Sequence, residues 1–125
     1  MILLVDANAL LWALAADARL GSDAQSALAD PANDVVVSAA SVWEIAIKRA
    51  LGKLDLPDAI VSGIERLGFG TLAVTAADGE RAGALPLHHR DPFDRMLVAQ
   101  ALRLDATIVS SDRAFDAYGV HRLPA

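Results

Sequence analysis

Four acidic side chains stand close behind short apolar runs: Asp6 after ILLV, Glu44 within SAASVWEIAIKRALGKL, Asp94 within HHRDPFDRMLVAQAL, and Asp112 after TIVSS. Carboxylates brought together repel and raise one another's pKa unless a cation sits among them. With water, they suit Mg2+ or Mn2+, which take few protein oxygens and keep positions for substrate phosphate. Such an ion makes water a better nucleophile, and a second ion about 3.5–4 Å away can stabilise a leaving oxygen. That is the chemistry of metal-dependent phosphodiester hydrolysis.

Each acid also has a plainer structural use. Asp6 can cap the helix that begins in NALLWAL, although Asn8 could serve equally and leave Asp6 for other work. Ser111 or Asp112 can cap the short helix RAFDAY. Glu44 can pair with Lys48 in the favourable acid-first i,i+4 orientation. Asp91 as N-cap, Pro92 at N1 and Asp94 at N3 make a well-formed helix start close to a capping box. An aspartate is a short substitute for the Glu or Gln usual at N3, which sets Asp94 apart from Asp91.

The elements that must position these acids alternate along the chain. ILLV (2–5), VVV (35–37), LAV (72–74) and TIV (107–109) read as strands buried on both faces, with a short strand around Val120 at the sheet edge. Helical patterns fall at 8–15, 23–29, 39–51, 57–67, 76–83, 92–103 and 113–117, with Ser38 capping the third. Alternation of this kind predicts a mostly parallel sheet covered by helices on both sides, in a single domain spanning residues 1–125. Sites in such sheets lie beyond the carboxyl ends of the strands. All four acids fall at that one edge.

Composition narrows the setting. The chain has 125 residues, 54 % of them hydrophobic, and a mean hydropathy of +0.37, so part of its apolar surface suits cover by a partner such as a second copy. Net charge is −5, from 13 Asp, 3 Glu, 9 Arg and 2 Lys. That is a poor basis for non-specific nucleic-acid binding, so any such role must rest on a local site. There are no cysteines, hence no disulfide framework and no thiolate zinc site. The apolar runs are far short of the ~20 residues that cross a bilayer, and MILLV lacks a basic flank; a cytoplasmic location is the expectation.

With these residues assembled, the sequence resembles the PIN-domain family, and within it the VapC-type toxins of toxin–antitoxin pairs. LLVDANALLWAL resembles the family's opening strand and first acid, SAASVWEIAIKRALGKL its second block, LPLHHRDPFDRMLVAQAL its third and TIVSSDRAFDAYGV its last. The resemblance covers essentially the whole chain. It implies a three-layer α/β/α fold and Mg2+- or Mn2+-dependent ribonuclease activity, with Asp6, Glu44, Asp94 and Asp112 as the catalytic, metal-holding acids. It also implies a homodimer and a cognate VapB-like antitoxin.

Around the acids, Asn8, Ser110, Lys48 and Asp91 are expected in supporting roles, and Arg90, Arg95 and Arg113 are candidates to line an RNA path. His88 and His89 invite a metal reading, but adjacent histidines point apart in an extended segment, so loop packing or RNA contact is the expectation for them. A phospho-acceptor or phosphatase domain would gather further acids beside Asp6, which has none adjacent. The remaining alternative is a PIN-like interaction module whose site is idle.

Overall fold

The computed structural model describes residues 1–56 and 59–125. Five strands form one all-parallel sheet: β1 (Ile2–Val5), β2 (Asp34–Ser38), β3 (Gly70–Leu72), β4 (Thr107–Val109) and β5 (His121–Leu123), in spatial order β3-β2-β1-β4-β5. Between them run α1 (Ala7–Ala15), α2 (Ser22–Ala29), α3 (Ala39–Ala50), α4 (Ile60–Arg66), α5 (Ala76–Ala84) and α6 (Pro92–Leu104). A 3-10 helix, Arg113–Tyr118, joins β4 to β5.

Alternation along β1 explains the layers. Leu3 and Val5 point into a core with Leu10, Val35, Val37, Ile45 and Ile64, under α1, α2, α3 and α4. Leu4 points the other way, to Leu97, Val98, Ile108 and Phe115 beneath α6 and the 3-10 helix. Each fully buried side chain of this size contributes about 1.5–3 kcal/mol, so both faces of a four-residue strand matter. Helix α5 rides outside α6, held by Asp78. That residue closes a capping box with Thr75 and receives Arg103 Nε at 2.7 Å and Nη2 at 3.0 Å from α6.

Three expectations shift. The third strand lies at Gly70–Leu72 rather than 72–74, because its neighbour β2 ends at Ser38, paired with Leu72. Beyond that rung there is no ladder to join among the described residues. The helix expected over 57–67 is seen as Ile60–Arg66, and its first two positions, Pro57 and Asp58, lie outside the described residues. The segment after Asp112 is a 3-10 helix stopped by Gly119, whose φ of 72° suits a residue without Cβ.

The strand order reverses around β1, which has β2 on one side and β4 on the other. Such a switch point opens a crevice at the carboxyl edge. Asp6 ends β1, Ser110 and Asp112 follow β4, and α3 rises directly from β2 with Ser38 Oγ accepting from Ala40 N at 3.1 Å.

Candidate metal centre

Asp6 is both a cap and a member of the site. Its Oδ1 accepts the Ala9 amide at 2.9 Å, while Asn8 sits exposed inside α1, so the cap is not handed to Asn8 as the sequence allowed. Backbone geometry explains this. Asp6 leaves β1 in an extended conformation and has the position an N-cap requires. Burial raises its pKa, as do the charges of Glu44 and Asp112, while hydrogen bonds from the Ser110 side chain and the Ala9 amide oppose the rise.

Ser110 is fully buried between two of the acids. Its Oγ accepts the Asp112 amide at 3.0 Å, and its side chain also hydrogen-bonds the Asp6 carboxylate. Asp112 in turn caps the 3-10 helix through Oδ1, which accepts Ala114 N at 2.9 Å. That bond, with smaller help from His89 and Arg122, lowers its pKa. Its Oδ2 is left for the site.

On the far side, Asp91 caps α6 by accepting Phe93 N at 2.8 Å and Asp94 N at 3.3 Å. Asp94, one turn in, has its pKa pushed up to about 7. Burial is the largest cause; the charges of Asp91, Glu44 and Asp6 add to it, and His89 opposes it. Glu44, on α3, pairs its Oε2 with Lys48 Nζ at 2.9 Å and is itself largely covered. Its ion pair and its closeness to Asp6 and Asp94 therefore coexist.

One member of the cluster was not expected from the sequence. His89 Nε2 lies 2.9 Å from Asp94 Oδ2 and 3.0 Å from Asp112 Oδ2, and the ligand-capable atoms of these three residues all fall within 4.8 Å of one another. The argument that adjacent histidines diverge holds: His88 is exposed and stacks edge-on to Tyr118. Divergence simply sends the other ring inward. A signal was available, since the amide of the Asp91 cap needs an acceptor, and His89 Nδ1 supplies it at 3.1 Å.

Arg95 is a correction. As a candidate for an RNA path it should face solvent, yet it is buried and turned away. Its Nη1 donates to the carbonyls of Pro86 (3.0 Å) and His89 (3.3 Å), and its Nη2 to those of Ala82 (2.9 Å), Gly83 (3.4 Å) and Leu85 (2.8 Å). It knots the α5–α6 loop that carries His89. Tyr118 adds a second tie, donating to Pro86 O at 2.7 Å and accepting from His89 N at 2.9 Å. Arg90 and Arg113 are exposed, the first next to His89 and the second next to Asp112.

The donor set fits a hard divalent cation. Oxygen ligands from Asp94 and Asp112 converge, and Asp6 and Glu44 add negative charge nearby.

Comparison with known proteins bears on the family and the fold. The PIN-domain family model matches residues 3–120. A search of curated proteins found no match. Among solved structures, VapBC2 from Rickettsia felis, bound to a DNA fragment from its promoter, aligns with a TM-score of 0.72 at 13 % identity, covering 99 % of this chain and 98 % of that one. FitAcB from Neisseria gonorrhoeae gives 0.64 at 20 % identity, over 98 % and 96 %. VapC20 of Mycobacterium tuberculosis, described as a sarcin–ricin loop cleaving toxin, gives 0.65 at 21 % identity, over 94 % and 95 %. At these identities the likeness speaks for the fold.

Proposed function

The chain belongs to the PIN-domain family, and from that premise we propose that it is a Mg2+- or Mn2+-dependent endoribonuclease acting as the toxin of a VapBC-type pair. The observation that carries the reading is the convergence of Asp94 and Asp112, with Asp6 and Glu44 beside them, at the switch point of a parallel sheet. Asp94 and Asp112 would hold the ion, with Asp6 and Glu44 completing the acidic wall. A divalent ion held there would supply positive charge for phosphodiester hydrolysis.

The chain's own groups do the rest. Ser110 accepts the Asp112 amide and lowers the pKa of the Asp6 carboxyl, so one buried hydroxyl bears on two acids from neighbouring strands. Lys48 offsets the charge of Glu44 and keeps it from adding fully to the repulsion at Asp94. Arg90 and Arg113 stand exposed beside the cluster, where a phosphate backbone would approach. An acidic chain needs such a local cationic rim to hold RNA at all.

The structures of VapBC2 and FitAcB support an antitoxin of the VapB kind as partner, and the exposed Trp43, Val74 and Leu87 suit a protein-covered surface, including a homodimer. Among the described residues no helix is long and apolar enough to cross a membrane, which fits action on RNA in the cytoplasm. Two measurements test the reading. Expression should arrest growth, with relief when a cognate antitoxin is co-expressed. Purified protein should cleave RNA with Mg2+ or Mn2+ and stop with EDTA. Cleavage that continues under chelation would remove the mechanism, and a folded, inert protein that binds a partner would favour an idle interaction module.

A further inference from the structure

His89 invites assignment as a third metal ligand, because its ring nitrogen sits with two carboxylate oxygens. Its other nitrogen argues otherwise. A backbone N–H can only donate, so the Asp91 amide at 3.1 Å makes His89 Nδ1 an acceptor without a proton. The proton of the neutral ring is then on Nε2, the atom 2.9 Å from Asp94 Oδ2 and 3.0 Å from Asp112 Oδ2. An Nε2 that carries a proton has no lone pair to give a metal. Moving that proton to Nδ1 would set it against the Asp91 N–H and remove a hydrogen bond from the cap of α6.

We propose that His89 is a placeholder for the cation rather than a ligand: its Nε2–H holds Asp94 and Asp112 together without an ion and gives way when one binds. The proposal deepens the metal-dependent reading and rests on it. The ring is well placed for this task. Its backbone is tied down, its N–H accepted by Tyr118 Oη and its carbonyl held by Arg95, while Phe115 packs at 6.1 Å between ring centroids. Only the imidazole has to move. Because the positive end of the N–H dipole points at the same two Oδ2 atoms a cation needs, ring and ion compete for them.

Placeholder and ligand predict opposite signs. Mn2+ binding to the metal-free protein is measured by titration calorimetry for the unaltered chain, His89→Ala and His89→Gln. A competing hydrogen bond to a charged group corresponds to about ten-fold in affinity, so His89→Ala should bind Mn2+ about ten-fold more tightly. His89→Gln, whose amide N–H can replace the donor, should stay within about three-fold of the unaltered protein. Two-bond proton–nitrogen NMR of the imidazoles, with His89 assigned from its loss in a variant, should show the Nε2–H form without metal and a perturbed Nε2 on adding Mg2+.

Weaker or unchanged Mn2+ binding by His89→Ala overturns the proposal, and so does an Nδ1–H ring in the metal-free protein. Should the alanine variant not fold, the ring's protonation pattern in the unaltered chain decides. No Mn2+ binding by the unaltered protein removes the metal reading and this inference with it; binding without tightening removes only this inference.

Discussion

Asp94 gives the sharpest physical consequence of packing acids without a cation. Its carboxyl is buried beside Asp91, Glu44 and Asp6, and its pKa is about 7 in the folded protein against an ordinary 3.8. The fold therefore favours the protonated form. The stability this contributes is fully present below the unfolded pKa and is lost as pH rises through about 7. At about 1.4 kcal/mol for each pH unit, the gap corresponds to an upper bound of about 4 kcal/mol. The side chain keeps 19 % of its surface and faces His89, so about 2–3 kcal/mol is the expected loss. Asp94→Asn keeps the shape and removes the charge. Urea unfolding in the presence of chelator, from pH 4.5 to 8, should show the unaltered protein weakening across this window. The variant should be markedly flatter, keeping a residual slope from Asp6, whose pKa is also raised. The lowered pKa of Asp112 acts only as pH falls through its folded value, below the window. At pH 7.5 the variant should be more stable by about 2–3 kcal/mol, and Mn2+ should stabilise only the unaltered chain. Equal slopes for the two proteins would refute the reasoning.

Other consequences follow from named contacts. Arg95→Met leaves the carbonyls of the α5–α6 loop without their donor and should cost about 3 kcal/mol by urea unfolding; a loss under about 1 kcal/mol would contradict the knot. Tyr118→Phe removes one hydroxyl that both donates to Pro86 and accepts from His89, and should cost about 1 kcal/mol by the same measurement. Ala16 ends α1 at a φ of 51°, so Ala16→Gly should raise stability by about 0.5–1 kcal/mol, seen as a higher denaturation midpoint. A fall would mean that the left-handed turn carries no strain.

What the sequence made legible was local. Ser38, Asp91 and Pro92 announce helix starts within three residues of themselves, and both helices begin there. Runs such as ILLV and TIV sit in strands because two apolar faces require burial on both sides. That placed the four acids along one sheet edge. Longer-range choices were not legible. Arg95 lies where a phosphate contact is plausible, but its partners are carbonyls six to thirteen residues earlier, gathered only once α5 folds back on α6. The frame of β3 depended on where β2 stopped, not on the apolar content of LAV. His89 was discounted by a correct local rule that says two neighbouring rings diverge without saying which one turns inward. Asp6 shows that capping and site membership need not compete, since one oxygen caps and the carboxylate still faces Ser110, Glu44 and Asp112.

Single-turnover cleavage of labelled RNA, followed against Mn2+ concentration for the unaltered chain and Asp94→Asn, tests the central claim most directly. Cleavage should saturate with Mn2+, vanish with EDTA, and fall by about 100-fold or more in the variant while its fold is kept. Cleavage by Asp94→Asn at the unaltered rate, or independent of the metal, would contradict it.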